Sequence, residues 1–112
     1  MTMARSIVGT WHITEMSMWN KEYFNMEVQA FVAVPSNGLG TFQFGLVQGC
    51  MDGTFDTAEH NFHFSWEGTD EMDECEGEGW IALDSEMAED TAHGELSFES
   101  GDSSTFKAKR AD

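Results

Sequence analysis

Seven carboxylates stand between Trp66 and Trp80, at Glu67, Asp70, Glu71, Asp73, Glu74, Glu76 and Glu78. Crowded acids on a glycine-containing segment are the oxygen ligands that calcium or magnesium takes, and a bound cation recovers the Coulomb cost of holding them together. Asp70, Asp73 and Glu74 are the candidate ligands of a weakly held divalent cation. The spacing is not that of an EF-hand, which needs alternating Asp or Asn ligands, a glycine at the sixth place and a glutamate at the twelfth. A solvated loop and a docking surface for a basic partner account for the same residues. No other cofactor is implied.

His12, His60, His63 and His93 are not spaced as a transition-metal set. His60 and His63 are three apart at a turn-to-strand boundary and point to different faces. Cys50 and Cys75 belong to no C-x-x-C pair or zinc spacing, so they read as two reduced thiols unless the fold brings them together. There is no G-x-S-x-G, no P-loop and no G-x-G-x-x-G. Nothing points to nucleophilic or phosphate chemistry, and the chain reads as a binding protein rather than an enzyme.

The aromatic residues offer a different kind of site. Trp11, Phe42, Phe44, Phe62, Phe64, Trp66, Trp80, Phe98 and Phe106 fall on positions that alternation marks as inward. A very small barrel does not need so many rings as filling. The first eight are candidate walls of a cavity for a small apolar ligand, and a packed aromatic core is the competing reading.

These side chains are carried on strands. Apolar residues repeat with period two almost throughout, and helix is scarce. Ile7, Trp11 and Ile13 share one parity while Met16 and Met18 take the other, which predicts a bulge near Glu15. Asn20 is placed to cap a short helical turn between Asn20 and Met26. Val28, Ala30, Val32 and Val34 share a face and end at the turn signal Pro35-Ser36-Asn37-Gly38. Phe42, Phe44 and Leu46 begin what reads as one long strand, kinked at Gly45 or Gly49 and continuing through Met51 and Phe55. Phe62, Phe64 and Trp66 alternate with His63, Ser65 and Glu67. Beyond the acidic loop come Trp80 to Leu83, then Leu96 and Phe98, then Phe106 and Ala108. Asp56 to Glu59, Asp84 to Glu86 and Ser100 to Ser104 are the turns between these runs.

Seven to eight strands with short connections make an antiparallel meander, and closure into a small barrel removes its exposed edges. Residues 1–112 form a single domain of this all-β class.

Charge narrows the partners. No lysine or arginine occurs from Glu22 to Phe106, while that stretch holds 19 of the 21 acids in a chain of net charge −16. Phosphate contacts need basic residues, so nucleic acid is excluded as a partner, and anionic membranes are disfavoured for the same reason. Adaptation to salt, a surface that meets a basic protein and a cation site remain as readings of the acidity. The chain has no apolar run of membrane-spanning length and no cleavable leader, which places it in the cytoplasm.

Gly9-Thr10-Trp11 resembles the G-x-W that opens the first strand of lipocalins and related calycin barrels. Over residues 7 to 83, Gly9 to Met16, Phe64-Ser65-Trp66-Glu67-Gly68-Thr69-Asp70-Glu71 and Gly77-Glu78-Gly79-Trp80 are similar to a group of short bacterial proteins of unassigned function. The resemblance implies a calycin-like barrel in a bacterial cytosol and transfers no activity. The chain is shorter than a lipocalin and lacks a C-terminal helix pattern. The expected function is binding of a small apolar ligand inside the barrel, or docking of a basic protein on an acidic surface that imitates nucleic acid.

Overall fold

The computed structural model describes residues 6–56, 59–85 and 88–111. Eight strands in chain order make a closed antiparallel barrel: β1 Gly9–Met16, β2 Phe31–Val34, β3 Thr41–Phe44, β4 Val47–Phe55, β5 Asn61–Asp70, β6 Asp73–Ser85, β7 Ala88–Phe98 and β8 Ser103–Arg110. Each strand pairs with its sequence neighbours, and β8 returns to β1 through pairs such as Trp11 with Arg110 and Ile13 with Ala108. The expected all-β meander is present as a calycin-like barrel, and closure leaves the sheet without a long free edge.

Among the described residues there is one helix, α1 at Lys21–Phe24, which follows β1. Asn20 caps it as its sequence position predicts, its side-chain oxygen accepting from the Tyr23 backbone N–H at 3.0 Å. The parity change in β1 is a register shift between Ile13 and Glu15 against β8. It buries Trp11, Ile13 and Met16 in turn, but Met18 lies beyond the strand and is exposed.

Two expectations are corrected. The long strand from Phe42 is instead a tight hairpin, β3 and β4, turning at Gly45 and Leu46. Gly45 has φ of 56° and Leu46 does not share the positive φ, the pattern of a turn that needs glycine first. The acidic loop is also a hairpin. β5 and β6 pair without interruption from Asn61–Ala82 to Asp70–Asp73 and turn at Glu71 and Met72. Of the expected turns, Asp56 to Glu59 and Asp84 to Glu86 include Thr57, Ala58 and Glu86, which lie outside the described residues.

Candidate functional site

The interior is built by one repeated device: an inward ring on one strand faces a glycine on the next. Phe42 pairs with Gly49, Phe64 with both Gly53 and Gly79, Trp66 and Phe98 with Gly77, and Phe106 with Gly94. A methyl group at 49 would stand 2.5 Å from the Phe42 ring, and one at 79 would stand 2.7 Å from Phe64. The rings therefore lie over bare backbone, and this is how a narrow barrel accommodates so many of them. Phe42 and Trp66 meet edge to face at 5.1 Å, as do Trp66 and Phe98.

Six of the expected cavity walls are core residues: Trp11, Phe42, Phe44, Phe62, Phe64 and Trp66 are between 0 and 5% exposed. They pack against one another in a single hydrophobic cluster. Phe98 is half-buried against the same cluster. Trp80 departs from its expected inward position. The inward residues of β6 are Gly77, Gly79, Ile81 and Leu83, so Trp80 faces outward, across from His63 and Glu95.

Both ends of the barrel are stopped. At one, the Arg110 guanidinium lies 4.3 Å from the centroid of Trp11 and donates to the carbonyls of Val8 and Ser6, its side chain only 2% exposed. The Trp11 indole N–H donates to the Ile7 carbonyl at 2.9 Å. At the other, α1 buries Phe24, and Gly45 donates to the Phe24 carbonyl. Trp19 tilts over Phe44 at 4.9 Å beside them. Sequence reasoning missed Arg110, although it shares the parity of Phe106 and Ala108, and a cation at an inward position was the available signal.

The acidic side chains of β4 to β6 stand mainly on the outer surface. Outward side chains form rows across the strands. Cys50, Glu67 and Glu76 are consecutive partners on β4, β5 and β6, and Glu99 follows where its N–H bonds to the Glu76 carbonyl. Asp52, Ser65, Glu78 and Ser97 make the next row, then Thr54, His63, Trp80 and Glu95. A hydrogen bond with Glu99, then the charges of Glu99 and Glu67, raise the Glu76 carboxyl above its ordinary value. Beside this row, where β7 ends at Phe98 and β6 continues, runs a groove of about 690 Å³ bordered by Glu67, Glu74, Glu76, Glu99, Cys75 and Phe98.

The cation candidates do not converge. Asp70 and Asp73 sit opposite each other on the face that continues the interior, whereas Glu74 pairs with Thr69 on the outer face. Among the described residues no group of three or more His, Cys, Asp or Glu is arranged to hold a metal ion. Cys50 and Cys75 are free thiols on opposite faces with β5 between them. Burial, followed by the charges of Asp70 and Asp73, pushes the Cys75 thiol up, away from the reactive thiolate.

One polar pair was not legible in the chain. His93 Nδ1 lies 2.7 Å from Asp84, and the His93 ring meets Trp80 edge to face at 5.4 Å. Burial pushes the Asp84 carboxyl up, but hydrogen bonds from Thr91 and His93 and the charges of His93 and Lys107 outweigh it and hold it below the usual carboxylate range.

Fold and site together define a closed up-and-down barrel with an aromatic core and a carboxylate-lined outer face. No family model, curated protein or solved structure matches the chain. No helix among the described residues is long and apolar enough to cross a membrane.

Proposed function

We propose that this protein is an acidic interaction module that docks a basic protein on the outer face of β4 to β7. The observation that carries the reading is the row of Glu67 on β5, Glu76 on β6 and Glu99 just past β7, in which carboxylates are crowded closely enough to raise one of them, in a stretch that contains no lysine or arginine. Left alone, such a row costs stability through self-repulsion, and a cationic partner relieves it while gaining a steered encounter. A small apolar ligand in the interior has less support, because the rings expected to wall its cavity pack on glycines and on one another.

A short lysine peptide tests the reading. Its affinity should fall with ionic strength and should fall about tenfold or more in the Glu67→Gln, Glu76→Gln, Glu99→Gln variant. The variant Glu22→Gln, Glu27→Gln, Asp102→Asn changes the charge equally and should keep most of the affinity. Equal losses in both would mean that the peptide senses only net charge, and the docking reading would fail.

A further inference from the structure

Resting on that reading, we propose that Trp80 is the anchor of the docking face and that the partner seats an arginine side chain on it, between the indole and the carboxylates of Glu78 and Glu95. Of the four tryptophans, Trp11 and Trp66 are buried in the barrel and Trp19 packs on Phe44, Tyr23 and Phe98. Trp80 alone stands on the outer face of a strand, half-buried, where it adds nothing to the interior.

On its His93 side Trp80 borders a groove with Glu15 and Lys107, whereas on its other side the charged neighbours are acidic. Glu95 is its direct partner across β7, Glu78 precedes it by two on the same face of β6, and Asp52 lies in the row of Glu78. With Trp80 these acids border a groove of about 460 Å³ over the outer surface of β4 to β7, and His63 is the other titratable group on it. The edge-on contact with His93, itself held by Asp84, fixes the orientation of the indole from the opposite side.

Carboxylates alone attract any cation. The indole makes the difference, because a guanidinium is planar and weakly hydrated: it stacks on the ring by its face while its edge donates paired hydrogen bonds to a carboxylate. A lysine ammonium is a compact, strongly hydrated charge and does not satisfy both groups at once. The same fold already holds one guanidinium on an indole, Arg110 over Trp11 at 4.3 Å.

The test compares a Gly-Arg-Gly-Arg-Gly peptide with its lysine counterpart at about 0.15 M salt, where diffuse attraction is screened beyond roughly 8 Å. The arginine peptide should bind about fivefold tighter or more. Trp80→Ala should weaken the arginine peptide about tenfold and the lysine peptide less than about twofold, erasing the preference, while Trp80→Phe retains part of it. Glu78→Gln with Glu95→Gln should weaken both peptides. In the wild type, the Trp80 indole N–H resonance should move on titration with the arginine peptide, a readout independent of how well any variant folds. An unmoved Trp80 resonance, or an arginine preference that survives Trp80→Ala, would overturn the anchor. If lysine-peptide binding still depended on Glu67, Glu76 and Glu99, the docking reading would stand without it. Absence of binding by either peptide would end both.

Discussion

Phe106 on β8 lies directly across from Gly94 on β7, its ring 2.6 Å from where a methyl group on residue 94 would stand, with the Trp80 carbonyl pressing on the same point. The pair shows how the barrel seats large rings, over glycine backbone on the neighbouring strand. It also gives a signed prediction. Gly94→Ala stiffens the unfolded chain, which by itself would stabilise by about 0.4–1 kcal/mol. Overpacking costs about 1–3 kcal/mol and wins, because carbonyl and ring cannot both retreat. Urea denaturation should therefore show a lower midpoint for Gly94→Ala, and likewise for Gly49→Ala against Phe42.

Arg110 is the second structural anchor. Its guanidinium, on a side chain only 2% exposed, lies over the buried Trp11 and donates to the carbonyls of Val8 and Ser6. Arg110→Ala should cost about 3 kcal/mol, and Arg110→Lys about half of that, since the ammonium keeps the charge but loses the stacked plane and the paired donors. Chemical denaturation measures both. Equal stability of wild type and Arg110→Ala would mean that this end of the barrel is closed by other contacts.

Opposite pKa shifts fix the sign of the pH dependence. Glu76 is raised from 4.5, so the folded state holds its proton more tightly than the unfolded one, and this group destabilises the fold as pH rises from 4.5 through its folded value. Asp84 is lowered from 3.8, as is Asp56, where slight burial is outweighed by hydrogen bonds from the backbone of His60 and Asn61 and the side chain of Asn61. Their stabilisation is present above 3.8 and is lost as pH falls through their lowered values. Thermal melts should show stability rising on mild acidification towards 4.5 and falling below 3.8. Glu76→Gln should raise the melting temperature at neutral pH and flatten the rise above 4.5.

The divalent-cation proposal for Asp70, Asp73 and Glu74 yields a comparison. Sodium should stabilise a chain of net charge −16 by screening, and calcium at matched ionic strength should add little, since the three carboxylates lie on two faces. Asp70→Asn, Asp73→Asn, Glu74→Gln should raise the melting temperature modestly. A saturable calcium effect lost in that variant would show that the hairpin tip rearranges around a cation.

The barrel itself was legible because period-two alternation survives wherever one face is buried: Trp11 and Ile13, Val32 and Val34, Phe62 to Trp66 all read correctly. The failures have separate physical causes. Trp80-Ile81-Ala82-Leu83 is apolar throughout, and three of the four are buried, so the run carries no alternation from which to assign parity; only the register against Phe62 and Phe64 shows that Trp80 points outward. At the tip of the β5–β6 hairpin both faces meet water, so the apolar signal vanishes although pairing continues. Its turn has no glycine, proline or asparagine, with Glu71 itself at φ 59°, and it left no mark in the sequence. Inward glycines read as kinks because their purpose, a seat for a ring on the neighbouring strand, is non-local.

The account rests on a filled interior and an outer face that binds cations, and chemical-shift mapping with the arginine peptide examines both at once. Backbone and indole resonances should shift at Glu67, Glu76, Glu78, Trp80 and Glu95 on the outer face of β5 to β7, while Trp11, Phe42 and Phe106 remain still. Shifts concentrated on those inward residues, or spread evenly over every acid in the chain, would contradict it.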